Sequence, residues 1–169
     1  MRTITGMGML LCLAIVLSFV EGMIPPIPAL PPGVKLGLSN IVVIYCLFFL
    51  DGKSACGVAV LKSFFVFLTR GASAGLLSLC GGLLSVVVMF IAIRPKKLSY
   101  LILSILGAVS HNVGQLIAAS LLFQSATVFY YLPILLVSGV LMGALTAALM
   151  KVLLPALKRI SGTTPGRGE

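Results

Sequence analysis

The chain has 169 residues, of which 60% are hydrophobic and 9% are charged, and its mean hydropathy is +1.22. Soluble domains carry about 25% charged residues, so this composition excludes a water-soluble domain and predicts an integral membrane protein. The formal net charge of +9 does not indicate nucleic-acid binding, because the basic residues fall mostly between apolar segments, where they orient a membrane protein.

Six apolar segments follow one another along the chain, and a transmembrane helix needs about 17–25 such residues. The first has no A-x-A-like cleavage site after it, so we interpret it as a helix rather than a signal peptide. The second and third are short, and we expect parts of their flanking segments to lie at membrane depth against protein. The sequence therefore predicts an all-α membrane domain over 1–157, with a disordered basic tail at 158–169 and helices at 4–22, 36–50, 54–69, 73–93, 98–122 and 128–154.

The basic residues predict the orientation of these helices. Loops that stay in the cytoplasm are enriched in Lys and Arg. With a cytoplasmic N-terminus, the outer segments hold only Lys35 and Arg70, and all other basic residues near span ends face inward: Arg2, Lys53, Arg94, Lys96, Lys97, Lys151, Lys158, Arg159 and Arg167. We therefore expect both termini in the cytoplasm and the connection after the first helix outside.

That first connection, "IPPIPALPPGVKLGLSN" at 24–40, has five prolines within eight residues. Proline fixes φ and lacks an N–H, so the segment cannot simply prolong the first helix. A stiff loop also loses less entropy when it settles over a ligand. We interpret Pro31, Pro32 and Gly33 as a candidate lid with Lys35 at its rim; the alternative is a rigid surface connector.

Small residues recur every four positions on two spans. Gly71 and Gly75 begin one stripe, which Ala74, Ser78 and Gly82 continue, and the sixth span carries Gly139, Gly143 and Ala147. Small residues let helix backbones approach closely in lipid. We interpret both stripes as helix-packing seams.

Polar side chains inside the apolar spans are the main functional signal, because each is costly in lipid. The predicted directions bring them to one level, which opens toward the outside of the membrane. Their basic excess suits a small anionic or electron-rich ligand. The candidate binding residues are Glu21, Lys35, Asn40, Lys62, Arg70, His111, Asn112 and Gln115.

Structural roles remain open for several of these residues. Lys62 could snorkel or form an ion pair with Glu21. His111 could hydrogen-bond to a neighbouring helix, and Asn40 could cap or bridge helices.

The sequence lacks the residues required for ATP hydrolysis, for diphosphate chemistry and for a catalytic triad. The segment "DGKS" at 51–54 has the end of a phosphate loop, but Leu47 stands where that motif needs Gly. Asp51 is the only aspartate, so no carboxylate pair can hold Mg²⁺ for diphosphate chemistry. The single histidine has no acid nearby, and the four cysteines lack metal-ligand spacing. We therefore predict a protein that is not an enzyme and has neither a cofactor nor a metal site.

Three segments, "PGVKLGLSNIVVIY", "RGASAGLLSLCGGLLSVVVM" and "LGAVSHNVGQL", resemble a small bacterial membrane family, the Gx transporters, which is also labelled heptaprenyl diphosphate synthase component I. The resemblance covers most of residues 5–125. This family is in turn similar to the substrate-binding (S) components of energy-coupling-factor (ECF) transporters, a branch of ABC importers.

The resemblance implies a six-helix S-component fold in the bacterial plasma membrane, with an outward-facing pocket under the loop after the first helix. It implies a transmembrane T component and two cytoplasmic ATPase subunits as partners. The T component docks on small residues of the first helix, for which Gly8 and Cys12 are the nearest match here. Prenyl synthases use aspartate-rich motifs that this sequence lacks, so the synthase label implies no catalysis by this chain.

The leading hypothesis is an S component that captures a small anionic or aromatic micronutrient or precursor from the extracellular side. The alternative is a non-catalytic membrane accessory subunit of an isoprenoid or quinone synthesis or electron-transfer assembly. A solitary facilitator that works without ATPases is a third possibility.

Overall fold

The computed structural model describes residues 2–23, 40–94 and 98–161. Within these ranges the chain forms six α-helices and one 3₁₀ helix, and no strand, which confirms the predicted all-α class. The elements are α1 (Arg2–Met23), α2 (Asn40–Phe49), α3 (Gly52–Arg70), α4 (Ala72–Ile93), α5 (Tyr100–Phe123), η1 (Ala126–Tyr131) and α6 (Leu132–Ser161).

The helix α2 lies at the centre of the bundle and packs against all five other helices. Eight of its ten residues, Asn40 to Leu47, are buried. A helix of ten residues is about 15 Å long, half the thickness of the hydrocarbon core. Because α2 is enclosed by protein and is apolar on all sides, it has no lipid-facing surface that would require the full span.

The other helices run up and down around α2. Ser54 Oγ lies 3.4 Å from Met7 Sδ, and Arg70 reaches Ser18, so α1 and α3 are parallel. Short connections join α3 to α4, α4 to α5 and, through η1, α5 to α6. We call the end of the bundle with Asp51 and Arg94 the Asp51 end, and the opposite end the Arg70 end.

Local capping explains where two of these helices begin and end. The Asp51 carboxylate accepts a hydrogen bond from Ser54 N at 2.6 Å and so caps α3. At the other end of α3, Gly71 alone connects it to α4. Its φ of +91° is a conformation that residues with a side chain rarely adopt.

Close contacts at Gly75 and Gly143 confirm that both predicted stripes pack against neighbouring helices, but Gly71 belongs to the turn before α4, and a methyl group placed there would meet nothing within 4 Å. A methyl group placed on Gly75 would lie 2.6 Å from Phe67 Cβ of α3, and one placed on Gly143 would lie 2.5 Å from Ile105 Cα of α5. These backbones can approach only because the side chains are absent.

The last helix is longer than the sequence predicts. It continues through Pro155 to Ser161 and so overlaps the first part of the predicted tail. An interior proline removes one backbone N–H and clashes with the carbonyl four residues before it, at a cost of about 3 kcal/mol, but the residues after Pro155 include helix formers such as Ala156 and Leu157. Residues 162–169 lie outside the described ranges.

Among the described residues, four helical stretches are long and apolar enough to cross a membrane: Gly52–Arg70, Ala72–Ile93, Tyr100–Phe123 and Thr127–Val152. Two shorter apolar stretches occur at Gly6–Val20 and Asn40–Phe49. Large apolar side chains such as Leu121 and Val152 are exposed on the outer helices, as expected where lipid is the solvent.

Candidate functional site

Lys62 lies midway along α3 and is buried, with 8% of its surface exposed. Its neighbour Ser63 is buried against α4, where its hydroxyl lies 3.3 Å from Ser78 Oγ and donates to Ala59 O at 2.8 Å. The Lys62 amine and the two hydroxyl groups therefore lie at a similar depth, near the middle of α3, while the one-residue step from Lys62 to Ser63 turns their side chains about 100° apart. Polar groups at this depth are costly and are usually functional.

His111 and Gln115 lie on the face of α5 that packs against Gly81 of α4. A methyl group placed on Gly81 would lie 2.8 Å from Gln115 Cγ and 3.1 Å from His111 Cε1. Both side chains are half-buried. The absence of a side chain at Gly81 thus makes the room that they occupy.

The depths of Lys62 and His111 within the bundle can be compared through the residues of α4 that lie opposite α3 and α5. Ser78, opposite Ser63, is three residues from Gly81, opposite His111, and three residues rise about 4.5 Å along a helix. Lys62 and His111 therefore lie within about one helical turn of the same depth, in the middle of their helices. The structure brings these predicted residues to one level.

Asn112 points to a different helix. Its Nδ2 donates a hydrogen bond to Leu135 O of α6 at 2.9 Å, and a methyl group placed on Gly139 would lie 3.2 Å from the same nitrogen. Asn112 is buried between α5 and α6. The one-residue step from His111 rotates its side chain by about 100°, so the two do not share a face.

Asn112→Ala should therefore destabilise the protein by about 0.6 kcal/mol, the average for hydrogen bonds between membrane helices, for which the largest value is about 1.7 kcal/mol. Thermal unfolding in detergent measures this, with Ser120→Ala as the control because that hydroxyl donates to Ile117 O within its own helix. We expect any co-purifying small molecule to be retained. Its loss at unchanged stability would instead make Asn112 a ligand contact.

Arg70 contacts α1. It is the last residue of α3, and its Nη2 donates to Ser18 O at 3.0 Å. The guanidinium group crosses Gly22, where any side chain would collide with it. This contact ties the ends of α3 and α1 together, a role that the sequence did not reveal.

Of the remaining predicted residues, the structure describes Asn40 in full and only the backbone of Glu21. Asn40 is the first residue of α2 and is buried. Glu21 belongs to the last turn of α1, and its side chain lies outside the described part of the structure. The lid residues Pro31, Pro32 and Gly33, together with Lys35, also lie outside the described residues.

Two clefts open at the Asp51 end, and neither is lined by Lys62, His111 or Gln115. One lies between α3 and α4, and the other between α2, α4 and α5. Among the described residues, no group of three His, Cys, Asp or Glu side chains could hold a metal ion.

Sequence reasoning missed Gly81, Ser63 and the Arg70 contact. The pair Gly81–Gly82 was visible in "LCGGLLS", but the predicted packing seam included only Gly82 and named no partner helix. A methyl group on Gly82 would lie 3.6 Å from Ala59 Cβ of α3, whereas Gly81 faces α5. Adjacent glycines thus serve two different helix contacts, which spacing alone could not separate.

Comparison with known proteins supports the same fold. A solved structure described as the S component of a bacterial ECF transporter matches with a TM-score of 0.55 and 24% identity, over 94% of this chain and 93% of that one. No curated protein sequence matches. This fold and the apolar helices agree with the expected multi-pass membrane protein.

The family comparison extends over most of the sequence. The model described as heptaprenyl diphosphate synthase component I matches residues 10–153, which include "LGAVSHNVGQL" and the Gly81–Gly82 pair. The predicted resemblance is confirmed. Since the match begins in α1 and ends in α6, the chain belongs to the heptaprenyl diphosphate synthase component I family.

Proposed function

We propose that this protein is the substrate-binding S component of an ECF-type importer. It captures a small anionic or aromatic micronutrient or precursor from the extracellular side, with both of its termini in the cytoplasm. The observation that carries the proposal is the match to an S component over nearly the whole length of both chains.

The polar groups at mid-membrane depth support a binding role. Lys62 and Ser63 are buried on α3, and His111 and Gln115 are half-buried on α5. A cation with uncharged hydrogen-bonding groups can complement an anionic or electron-rich molecule in a low-dielectric interior. We assign Lys62 and His111 to direct ligand contact, and Glu21, Lys35, Asn40, Arg70 and Gln115 to the surrounding pocket.

The residues available also favour binding over chemistry. The sequence has one aspartate, Asp51, and its carboxylate caps α3. Aspartate-rich Mg²⁺ sites therefore cannot form within this chain. The energy for uptake would come from partner ATPases coupled through a T component.

Co-purification tests the proposal. The full-length protein would be isolated from its own membranes in mild detergent, and the associated proteins and small molecules would be identified by mass spectrometry. We expect a T component, two ATPase subunits and one small molecule. Recovery with a prenyl synthase and without ATPases would overturn the proposal.

Gly8 and Cys12 are the proposed docking positions for the T component. Both are exposed on α1, and a methyl group placed on Gly8 would meet nothing within 4 Å. Gly8→Leu should leave the fold intact but hold the partner away, weakening association at least about tenfold, or about 1.4 kcal/mol. Quantitative co-purification measures this effect.

Gly57→Leu is the matched control for Gly8→Leu. Gly57 is also a helical glycine with nothing within 4 Å of an added methyl group, but it lies on α3. We expect the Gly57 variant to retain the T component. Equal loss in both variants would argue against docking at Gly8.

The second candidate is a non-catalytic accessory subunit of an isoprenoid or quinone synthesis assembly. The description of its family, heptaprenyl diphosphate synthase component I, favours it. The accessory role predicts recovery with a prenyl synthase or flavoprotein, and prenyl synthase activity in the membrane that falls when this chain is deleted. The importer role predicts no such dependence when the precursor is supplied inside the cell.

A further inference from the structure

The guanidinium group of Arg70 lies across Gly22, in the last turn of α1. Its Nη2 donates a hydrogen bond to Ser18 O at 3.0 Å, and a methyl group placed on Gly22 would collide with the same nitrogen. The colliding atoms are the far end of a long side chain, so the methyl group would displace Arg70 and leave the helix where it is. We call the Gly22 backbone together with Ser18 O the Arg70 seat.

The Arg70 seat favours a cation for electrostatic reasons. Arg70 is the last residue of α3, and the parallel helix α1 ends at the same end of the bundle. The carboxyl end of a helix carries a partial negative charge, which stabilises a cation near the last turn. Arg70 thus interacts with the carboxyl ends of two helices. Because this stabilisation falls off beyond the last turn, it depends on how far α1 extends along α3.

The buried face of α1 repeats every four residues. Its buried positions, which Gly22 continues at the same spacing, are Gly6, Leu10, Ala14 and Ser18. The half-buried Leu13 and Leu17, which pack against the core, are also four residues apart. A displacement of α1 by four residues, about 6 Å along the helix, therefore presents a similar face to the bundle. Apolar packing on this face selects only weakly between such registers of α1 along α3.

The Arg70 seat distinguishes between these registers. Gly22 is the only glycine among residues 9–23. If α1 moved one turn toward the Arg70 end, Ser18 would take the place of Gly22, and its side chain would meet the guanidinium group. At the Asp51 end, Ser54 Oγ contacts Met7 Sδ at 3.4 Å and also marks the register, but a thioether sulfur is a weak acceptor. The Arg70 contact is therefore the stronger of the two.

We propose that Arg70 is a latch that sets the register of α1 against α3. Seated across Gly22, it holds α1 at the observed depth, and its withdrawal allows α1 to move by one turn along the bundle. One-turn displacements of one helix past another occur in conformational switches. The exposed residues of α1, including Gly8 and Cys12, move with the helix, so the latch controls the depth at which this face is presented. The inference does not depend on the proposed import function.

Chemical cross-linking of the full-length protein in membranes tests the latch. Met7→Cys and Ser54→Cys place two thiols at the contact that marks the observed register, and a short thiol-specific cross-linker joins them. Cys46 is kept because it is fully buried, and the other cysteines are replaced by alanine: Cys12, Cys56 and Cys80. Thr3→Cys or Leu11→Cys, each combined with Ser54→Cys, detects the register one turn away on either side.

With Arg70 in place, we expect the Met7–Ser54 pair to react in preference to both displaced pairs. In Arg70→Gln its yield should fall to about half or less, and one displaced pair should gain, because the registers become similar in population. Gly22→Ala should have the same effect, since it displaces Arg70 from its seat, but it should add nothing in the Arg70→Gln background. Lys151→Gln, which removes an exposed charge of α6, should leave the yields unchanged.

The thermal midpoint of each variant in detergent separates a latch from a simple stabilising contact. A lower midpoint with an unchanged cross-linking pattern in Arg70→Gln would overturn the proposal, because packing alone would then fix the register. Additive effects of Gly22→Ala and Arg70→Gln would overturn it as well, since Gly22 would then act independently of Arg70. The measurement requires neither a partner protein nor a transported molecule, so its failure leaves the proposed function untouched.

Discussion

Gly81→Ala is expected to destabilise the protein and to displace both polar side chains of α5 that pack on Gly81. The added methyl group would lie 2.8 Å from His111 O, a backbone atom that cannot rotate away, and 2.8 Å from Gln115 Cγ. Overpacking of this kind costs about 1–3 kcal/mol. We expect a lower thermal midpoint in detergent and loss of the co-purifying small molecule.

Gly82→Ala is the matched control for this substitution. Its methyl group would lie 3.6 Å from Ala59 Cβ, an ordinary contact. Alanine also has a higher helix propensity than glycine by about 1 kcal/mol, so the stability should be unchanged or slightly raised. Equal destabilisation by the two variants would mean that Gly81 serves only helix packing, as Gly82 does. The candidate site would then not depend on Gly81.

Lys62→Gln and His111→Gln are expected to weaken binding of the co-purifying small molecule by about ten- to a hundredfold each. The reason is that hydrogen bonds to a charged group contribute about 1.5–3 kcal/mol. Glutamine keeps a polar side chain of similar length at Lys62 while it removes the charge. Occupancy by native mass spectrometry, across a dilution series of the purified protein, measures the effect.

Lys151→Gln is the charge-matched control, since Lys151 is exposed on α6. Thermal stability distinguishes the two roles of Lys62. A structural ion-pair role predicts a lower thermal midpoint for Lys62→Gln with the bound molecule retained. A ligand-contact role predicts an unchanged thermal midpoint for Lys62→Gln and loss of the bound molecule.

The number and order of the helices could be predicted because the length and apolar composition of a membrane helix are visible in the sequence. The rotation of each helix could not. The helix α2 is apolar on all sides, so no periodic stripe indicates which face is buried. The enclosure of α2 by all the other helices depends on tertiary packing that no local pattern encodes.

The depth of the candidate site residues within the bundle could be predicted from the sequence. The neighbouring helix that each side chain faces was harder to predict. The positions of Lys62 and His111 within their spans fixed their level, because rise per residue is constant in a helix. The direction of Asn112 toward Leu135 O and of Arg70 toward Ser18 O depends on which helix lies beside each one. The contacts at Gly81 were hidden for the same reason, because a glycine carries no side chain to signal what faces it.

The single residue between α3 and α4 has a consequence for biogenesis. Because only Gly71 separates α3 from α4, we expect the two helices to insert into the membrane together as a hairpin. Arg70 is the last residue of α3 and lies at the tip of this hairpin, so in the proposed orientation, with both termini in the cytoplasm, its charge has to cross the membrane. Its later contact with Ser18 O then fastens the inserted tip to a helix that was synthesised before it.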